Sequence, residues 1–158
     1  MALEEQVVDL LIEKGYRISF AESCTGGLCC GTLVNVTNAS KVLDVSFTTY
    51  ANEAKMEFLG VKADTILKNG VVSEEVAYEM ALGVAAAAKS EVGVGVTGVA
   101  GPGGGTEKKP VGMVCFGFSI NGTVQTYTKQ FGELGRNQVR KTAVEFVFQT
   151  LIELLNNT

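Results

Sequence analysis

The sequence predicts a single α/β domain over residues 1–158, with a mixed sheet covered by helices on both faces. Three observations carry that expectation. Strand-like and helix-like segments alternate early in the chain, Asn121-Gly122 marks a closing hairpin, and 158 residues suit one domain of ordinary size. A chain of this length buries roughly 68–70% of its unfolded surface, enough for a core without disulfide or metal support.

The elements follow in order. Leu3, Val7, Leu10 and Leu11 recur at helical spacing, and Gly15 stops that helix. Residues 17–22 read as a short strand. The turn Ser23-Cys24-Thr25-Gly26-Gly27 leads into a helix expected over 25–36. Residues 44–50, alternating and rich in Val, Phe and Thr, predict a second strand. A short helix over 52–58 ends at Gly60, and 64–69 form a helical turn. Ser73 is an N-cap for the strongest helix, running to about 89 with Val76, Met80 and Val84 as its apolar stripe. Residues 91–97 form an apolar strand, followed by a glycine-rich loop from Gly98 to Pro110. Residues 111–120 and 123–131 flank the hairpin turn, and a last helix spans about 135–155.

Composition narrows the function. Hydrophobic residues at 46% and charged ones at 19% describe a globular chain, and no apolar run approaches the ~18 residues of a membrane span. A net charge of −4 without a basic cluster argues against nucleic acid as a partner. The acidic start Met1-Ala2-Leu3-Glu4-Glu5 is unlike a signal peptide, so a cytoplasmic protein is expected. Cysteines 24, 29, 30 and 115 form no C-x-x-C pair and are expected to remain thiols, Cys29 and Cys30 as packing residues. The chain contains no histidine, which removes the Ser-His-Asp triad, the Cys-His pair and every His-containing zinc site. A nucleophile here needs a lysine, a carboxylate or a terminal amine as its base.

Ser23 stands where a strand gives way to a helix, a placement that exposes a hydroxyl beside free backbone N–H groups able to hold an anion or oxyanion. An N-cap followed by packing glycines is the plainer alternative. Cys24 competes as nucleophile but needs a lowered pKa. Lys55 follows the strand 44–50 and, with Tyr50 and Asn52, is expected at the same sheet edge; Lys41 is the second candidate base. A lysine base must be neutral, which requires desolvation. Thr97 and Gly98 enter the glycine loop. The pattern Gly93-x-Gly95-x-x-Gly98 resembles a dinucleotide fingerprint only formally, since its glycines fall inside the strand and no helix opens at Gly98. Lys108 and Lys109 are solvated cations or phosphate neighbours. Arg136 and Arg140 sit one turn apart at the start of the last helix, where two cations oppose the dipole unless an anion is bound.

Together the segments 21–27, 47–55, 97–105 and 109–112, with Arg136-x-x-Val139-Arg140, resemble the C-terminal domain of the CinA family, the nicotinamide mononucleotide deamidases. The resemblance runs in register over about residues 5–155. It implies a three-layer α/β/α sandwich and a Ser/Lys amidohydrolase converting nicotinamide mononucleotide to nicotinate mononucleotide and ammonia, in pyridine nucleotide salvage. It implies Ser23 as nucleophile, Lys55 as base and Tyr50 beside them, with Arg136 toward the phosphate. Thr25, Gly26, Gly27, Asn52, Thr97, Gly98 and Arg140 complete the expected substrate-binding set. The resemblance also implies a homo-oligomer using no metal or other cofactor. Many members carry an N-terminal domain linked to molybdopterin-binding folds and pyrophosphatase activity. No counterpart is seen here, so a stand-alone form is expected and that second activity is not carried over. Met113 replaces a commoner Thr, expected as a packing variation. A non-catalytic nucleotide-binding or sensor module is the alternative reading, distinguished by stabilisation on ligand binding without turnover.

Overall fold

The computed structural model describes residues 1–158 as a five-stranded mixed sheet sandwiched between two helical layers, the three-layer α/β/α arrangement expected. Strands β1 (Ile18–Glu22), β2 (Phe47–Thr48), β3 (Val92–Gly98), β4 (Met113–Ile120) and β5 (Thr123–Gln130) lie in the order β2-β1-β3-β4-β5. Strand β1 runs parallel to β2 and β3, whereas β4 is antiparallel to both β3 and β5. Helices α1 (Leu3–Lys14), α2 (Leu28–Leu33) and α6 (Arg136–Asn156) cover one face. Helices α3 (Asn52–Leu59), α4 (Ala63–Asn69) and α5 (Glu74–Ala88) cover the other.

The two faces are built differently, and the period of two in β3 and β4 shows how. Val92, Val94 and Val96, with Val114, Phe116, Phe118 and Ile120, point into the larger core beneath α1 and α6, where Phe148 and Leu151 meet them. The alternate positions are small. A Cβ on Gly93 would fall 2.3 Å from the Ala81 carbonyl oxygen, and one on Gly95 or Gly117 would fall 2.6 or 2.3 Å from that of Ala77. Gly95 and Gly117 are cross-strand partners. Helix α5 therefore rests its alanine face directly on sheet backbone, and the apparent dinucleotide fingerprint is the floor beneath it.

Two elements differ from their sequence expectation. The strand expected over 44–50 is reduced to Phe47–Thr48. The segment does follow β1, through Ile18 N–H to Val42 O and Thr49 N–H to Glu22 O, but Phe20 N–H donates to the Ser46 hydroxyl, so a side chain interrupts the ladder. The helix expected over 25–36 occupies only Leu28–Leu33. Gly26 (φ +60°) and Gly27 (φ +100°) are left-handed and close a turn, with Gly26 N–H on Ser23 O, so the helix begins after them. Elsewhere the expected boundaries shift by one or two residues. Ser73 caps α5 by accepting from Val76 N–H, and Met113 packs with Val72, Ala77 and Cys115.

Candidate active site

In an open α/β sheet a ligand crevice forms at the carboxyl ends of parallel strands, where the strand order reverses. Here that point lies between β1 and β3. The chain leaves β1 toward β2 on one side and returns as β3 on the other, with Ser23 N–H still bonded to Val96 O. Ser23 follows β1, while Thr97 and Gly98 end β3.

A pocket of about 290 Å³ opens there, lined by Ser23, Cys24, Tyr50, Asn52, Lys55, Thr97, Gly98 and Arg136, with Val71, Val72 and glycines of the 98–110 loop. A larger groove between α1, α2 and α6 is lined by Leu3, Leu28, Phe148, Thr32, Lys141 and Glu145, and no hydrogen bond joins its Thr32 hydroxyl to either charged side chain.

Lys55 sits at the centre of the site. Its side chain is fully buried, and Nζ lies 2.7 Å from Thr49 O, 3.0 Å from Ser23 Oγ and 3.2 Å from Tyr50 O. The short helix α3 points this lysine inward because Asn52 opens it directly after the β2 segment, where Thr49 and Tyr50 turn their carbonyls toward Nζ. A neutral amine has two N–H donors and one lone pair. Two carbonyls can only accept, so in the neutral form they take both hydrogens and the lone pair is left for the Ser23 hydroxyl. Burial lowers the pKa of Lys55 from its ordinary 10.5, and no carboxylate lies within ion-pair distance to oppose it. A Cys24 thiolate would raise it again. Burial pushes that thiol up to about 11, so near neutral pH it carries no charge. The same shift argues against Cys24 as the nucleophile. Lys41, the other candidate base, is exposed on a 3₁₀ turn (Ala39–Lys41) and does not line the pocket.

A stability prediction follows, with its sign. The folded chain binds the Lys55 proton less tightly than the unfolded chain, whose lysine titrates near 10.5. Between the lowered value and 10.5 the unfolded state holds more protons, so stability rises with pH across that window. Lys55→Met removes this titration. The stability of wild type relative to Lys55→Met is therefore expected to increase as pH rises toward 10.5, measured by urea denaturation. A pH-independent difference would contradict the buried-lysine picture.

Arg136 reaches the pocket mouth, donating from Nη1 to Gly101 O at 2.9 Å and from Nη2 to the Tyr50 hydroxyl at 2.8 Å. Both acceptors are neutral, so the guanidinium lines the pocket without a counter-anion. Tyr50 thus contributes two atoms, its carbonyl to Lys55 and its hydroxyl to Arg136, while its side chain is 60% exposed. Thr97 is buried and its hydroxyl donates to Val71 O. Lys109 donates to Val72 O, tying the glycine loop to the α4–α5 linker.

Thr25, Gly26, Gly27 and Arg140 lie behind the pocket and not on its wall. Thr25 is fully buried, and Arg140 turns its donors onto the Cys24 and Thr25 carbonyls. The N-terminus of α2 is likewise not free for an anion. The buried Glu22 carboxylate accepts from Cys29 N–H at 2.8 Å and Cys30 N–H at 3.0 Å. Sequence reasoning missed Glu22, although a carboxylate ending an apolar buried strand signals a need for nearby donors.

The sequence matches the model of the CinA C-terminal domain over residues 1–155. The chain belongs to the CinA family. A CinA-like protein of Kosmotoga olearia is 47% identical over 158 residues, covering 98% of this chain and 38% of its own length. The chain therefore spans about two fifths of such curated CinA relatives. Among solved structures, the competence/damage inducible protein CihA from Agrobacterium tumefaciens superposes with a TM-score of 0.94 at 39% identity, covering 98% of this chain and 93% of that one. A CinA superfamily protein from Escherichia coli superposes with a TM-score of 0.90 at 33% identity, over 97% of this chain and 90% of the other. No helix is long and apolar enough to cross a membrane.

Proposed function

We propose that this CinA-family domain is a Ser/Lys amidohydrolase that deamidates nicotinamide mononucleotide to nicotinate mononucleotide and ammonia, serving pyridine nucleotide salvage. The observation that carries the reading is Lys55 Nζ, buried beside no carboxylate and 3.0 Å from Ser23 Oγ. That is the geometry of a nucleophile with its general base.

The neutral Lys55 amine takes the Ser23 proton as Oγ attacks the carboxamide carbon. The N–H groups of Ala100, Gly101 and Gly103, residues that line the pocket, have no hydrogen-bond partner, and in this reading they are the donors to the oxyanion. The Lys55 ammonium then returns its proton to the amide nitrogen, the C–N bond breaks and ammonia leaves, with the acyl group held as an ester on Ser23. A water molecule gives its proton to Lys55 and attacks the ester carbon. The acid departs, and Ser23 regains its proton from Lys55. Arg136, a cation satisfied only by neutral acceptors, is the group for the nucleotide phosphate, which displaces the Tyr50 hydroxyl.

The test is incubation with nicotinamide mononucleotide, scoring free ammonia, beside the same assay on the riboside. Turnover of the nucleotide is expected, with Arg136→Met raising its KM by roughly 10–10²-fold and leaving that of the riboside little changed. Thermal stabilisation by the nucleotide without ammonia release would reject catalysis and leave a binding module.

A further inference from the structure

Arg140 begins where Arg136 does, on the first turns of α6, yet performs none of the same contacts. Its Nε donates to Cys24 O at 2.9 Å, its Nη2 to Thr25 O at 3.2 Å and its Nη1 to Asn137 Oδ1 at 3.1 Å. The first two acceptors are successive carbonyls of the turn that carries Ser23. No carboxylate lies within ion-pair distance, the ion pairs of the chain being Arg17–Asp44 and Lys68–Asp64. The turn also makes room for this fork, since a Cβ on Gly26 would fall 3.2 Å from Nη2.

We propose that Arg140 is a positioning residue for the nucleophile, holding the Ser23–Gly26 turn in the shape that seats Ser23 Oγ against Lys55. The proposal rests on Ser23 being the nucleophile. A guanidinium is a rigid planar fork, so two donors on neighbouring carbonyls fix both peptide planes in a way that one ammonium does not. Fixing the Cys24 carbonyl also fixes the Thr25 N–H, which a trans peptide directs to the opposite side. The opposite end of the turn is pinned by Glu22 on the Cys29 and Cys30 amides. The short stretch between the two clamps has four hydrogen bonds of its own backbone, Ser23 N–H to Val96 O, Gly26 N–H to Ser23 O, Leu28 N–H to Thr25 O and Gly31 N–H to Gly27 O, and none of them holds the Cys24 carbonyl. Its shape therefore depends on what grips it from outside. An error of about 1 Å at a reacting atom costs on the order of 10²-fold in rate.

The experiment reads the reactivity of Ser23 without any substrate. A small arylsulfonyl fluoride forms an S–O bond at Ser23 as the S–F bond breaks, the proton passing to Lys55 and fluoride to solvent. Labelling is followed by intact mass, with peptide mapping to Ser23. Arg140→Met is expected to label roughly 10²-fold more slowly than wild type while melting cooperatively, and Arg140→Lys to recover part of that loss. Lys141→Met, which removes a neighbouring exposed charge, is expected to label at the wild-type rate. In turnover, Arg140→Met is expected to lower kcat with little change in KM. Should Arg140→Met fail to fold, Arg140→Lys alone carries the comparison, and its full wild-type rate counts against the fork. Wild-type labelling of Arg140→Met, or equal slowing by Lys141→Met, overturns the positioning role while leaving Ser23 as nucleophile. A Ser23 that stays unlabelled in wild type overturns the nucleophile reading and this proposal with it.

Discussion

Ser23→Ala and Lys55→Met are each expected to reduce ammonia release from nicotinamide mononucleotide by roughly 10³-fold or more, and the double variant to lose no more than either single one. The reason is that the two side chains act as one unit. Without the lone pair of Lys55, the Ser23 hydroxyl has no base to take its proton, because the carbonyls of Thr49 and Tyr50 beside the amine accept hydrogen bonds but are too weakly basic to be protonated. Without Ser23 Oγ, the amine has nothing to deprotonate except water. The pH dependence follows from the same chemistry. The active form is the neutral amine, so kcat/KM is expected to rise with pH through a single ionisation that lies below the ordinary lysine value of 10.5, since burial lowers it. Steady-state rates from about pH 6 to pH 10 measure this. A flat profile, or independent and additive losses in the two single variants, would separate serine from lysine and end the dyad.

How much of this was legible beforehand depends on whether the cause was local. The order of elements could be read because capping, periodicity and turn chemistry are written within a few residues of where they act. Ser73 before α5 and Asn121-Gly122 between β4 and β5 are examples. The absence of histidine narrowed the candidate base to a lysine, a carboxylate or a terminal amine, and the choice of Lys55 among them came from the family resemblance. What could not be read was any feature whose partner is distant in sequence. The short β2 follows from one hydroxyl, Ser46, standing in for a backbone acceptor of Phe20. Arg140 looked equivalent to Arg136 because both lie on one face of one helix. Their difference lies in what the opposing segment offers, two carbonyls for the former, a pocket mouth for the latter. Likewise, the Cys29 and Cys30 N–H groups at the start of α2 are occupied by the Glu22 carboxylate, seven residues upstream of the first of them, while the Cys24 and Thr25 N–H groups next to Ser23 have no acceptor.

The dual character of the sheet explains how such a small domain keeps a lysine dry. Valines and phenylalanines on one face build the main core, whereas the other face gives up side-chain volume so that α5 can descend onto β3 and β4. That descent brings the α4–α5 linker, whose Val71 and Val72 form part of the pocket wall, within reach of Thr97 and Lys109. The glycines thus belong to the site indirectly, by setting the height of one of its walls.

Gly95→Ala should therefore be among the most destabilising single-methyl changes in the chain. The added Cβ would lie 2.6 Å from the Ala77 carbonyl oxygen, 2.8 Å from the Met80 Cβ and 2.9 Å from the Ala81 amide nitrogen, and none of these is the flexible end of a side chain. Relief requires α5 to lift or the sheet to bend, and overpacking of this kind costs roughly 1–3 kcal/mol. Since the obstacles are backbone, the upper part of that range is expected, a fall in Tm of roughly 5–10 °C for a domain of this size. Gly117→Ala, opposed by Ala77 O at 2.3 Å, meets the same helix, so the double variant should be less destabilised than the sum of the two: once α5 has lifted for one methyl, the second finds space. Gly31→Ala in α2 is the comparison, because nothing lies within 4 Å of its Cβ and alanine favours a helix by up to about 1 kcal/mol. Thermal melts of the four variants decide the matter. If Gly95→Ala melts no lower than Gly31→Ala, then α5 does not rest on the sheet backbone, and the pocket wall it supports must be held by something else.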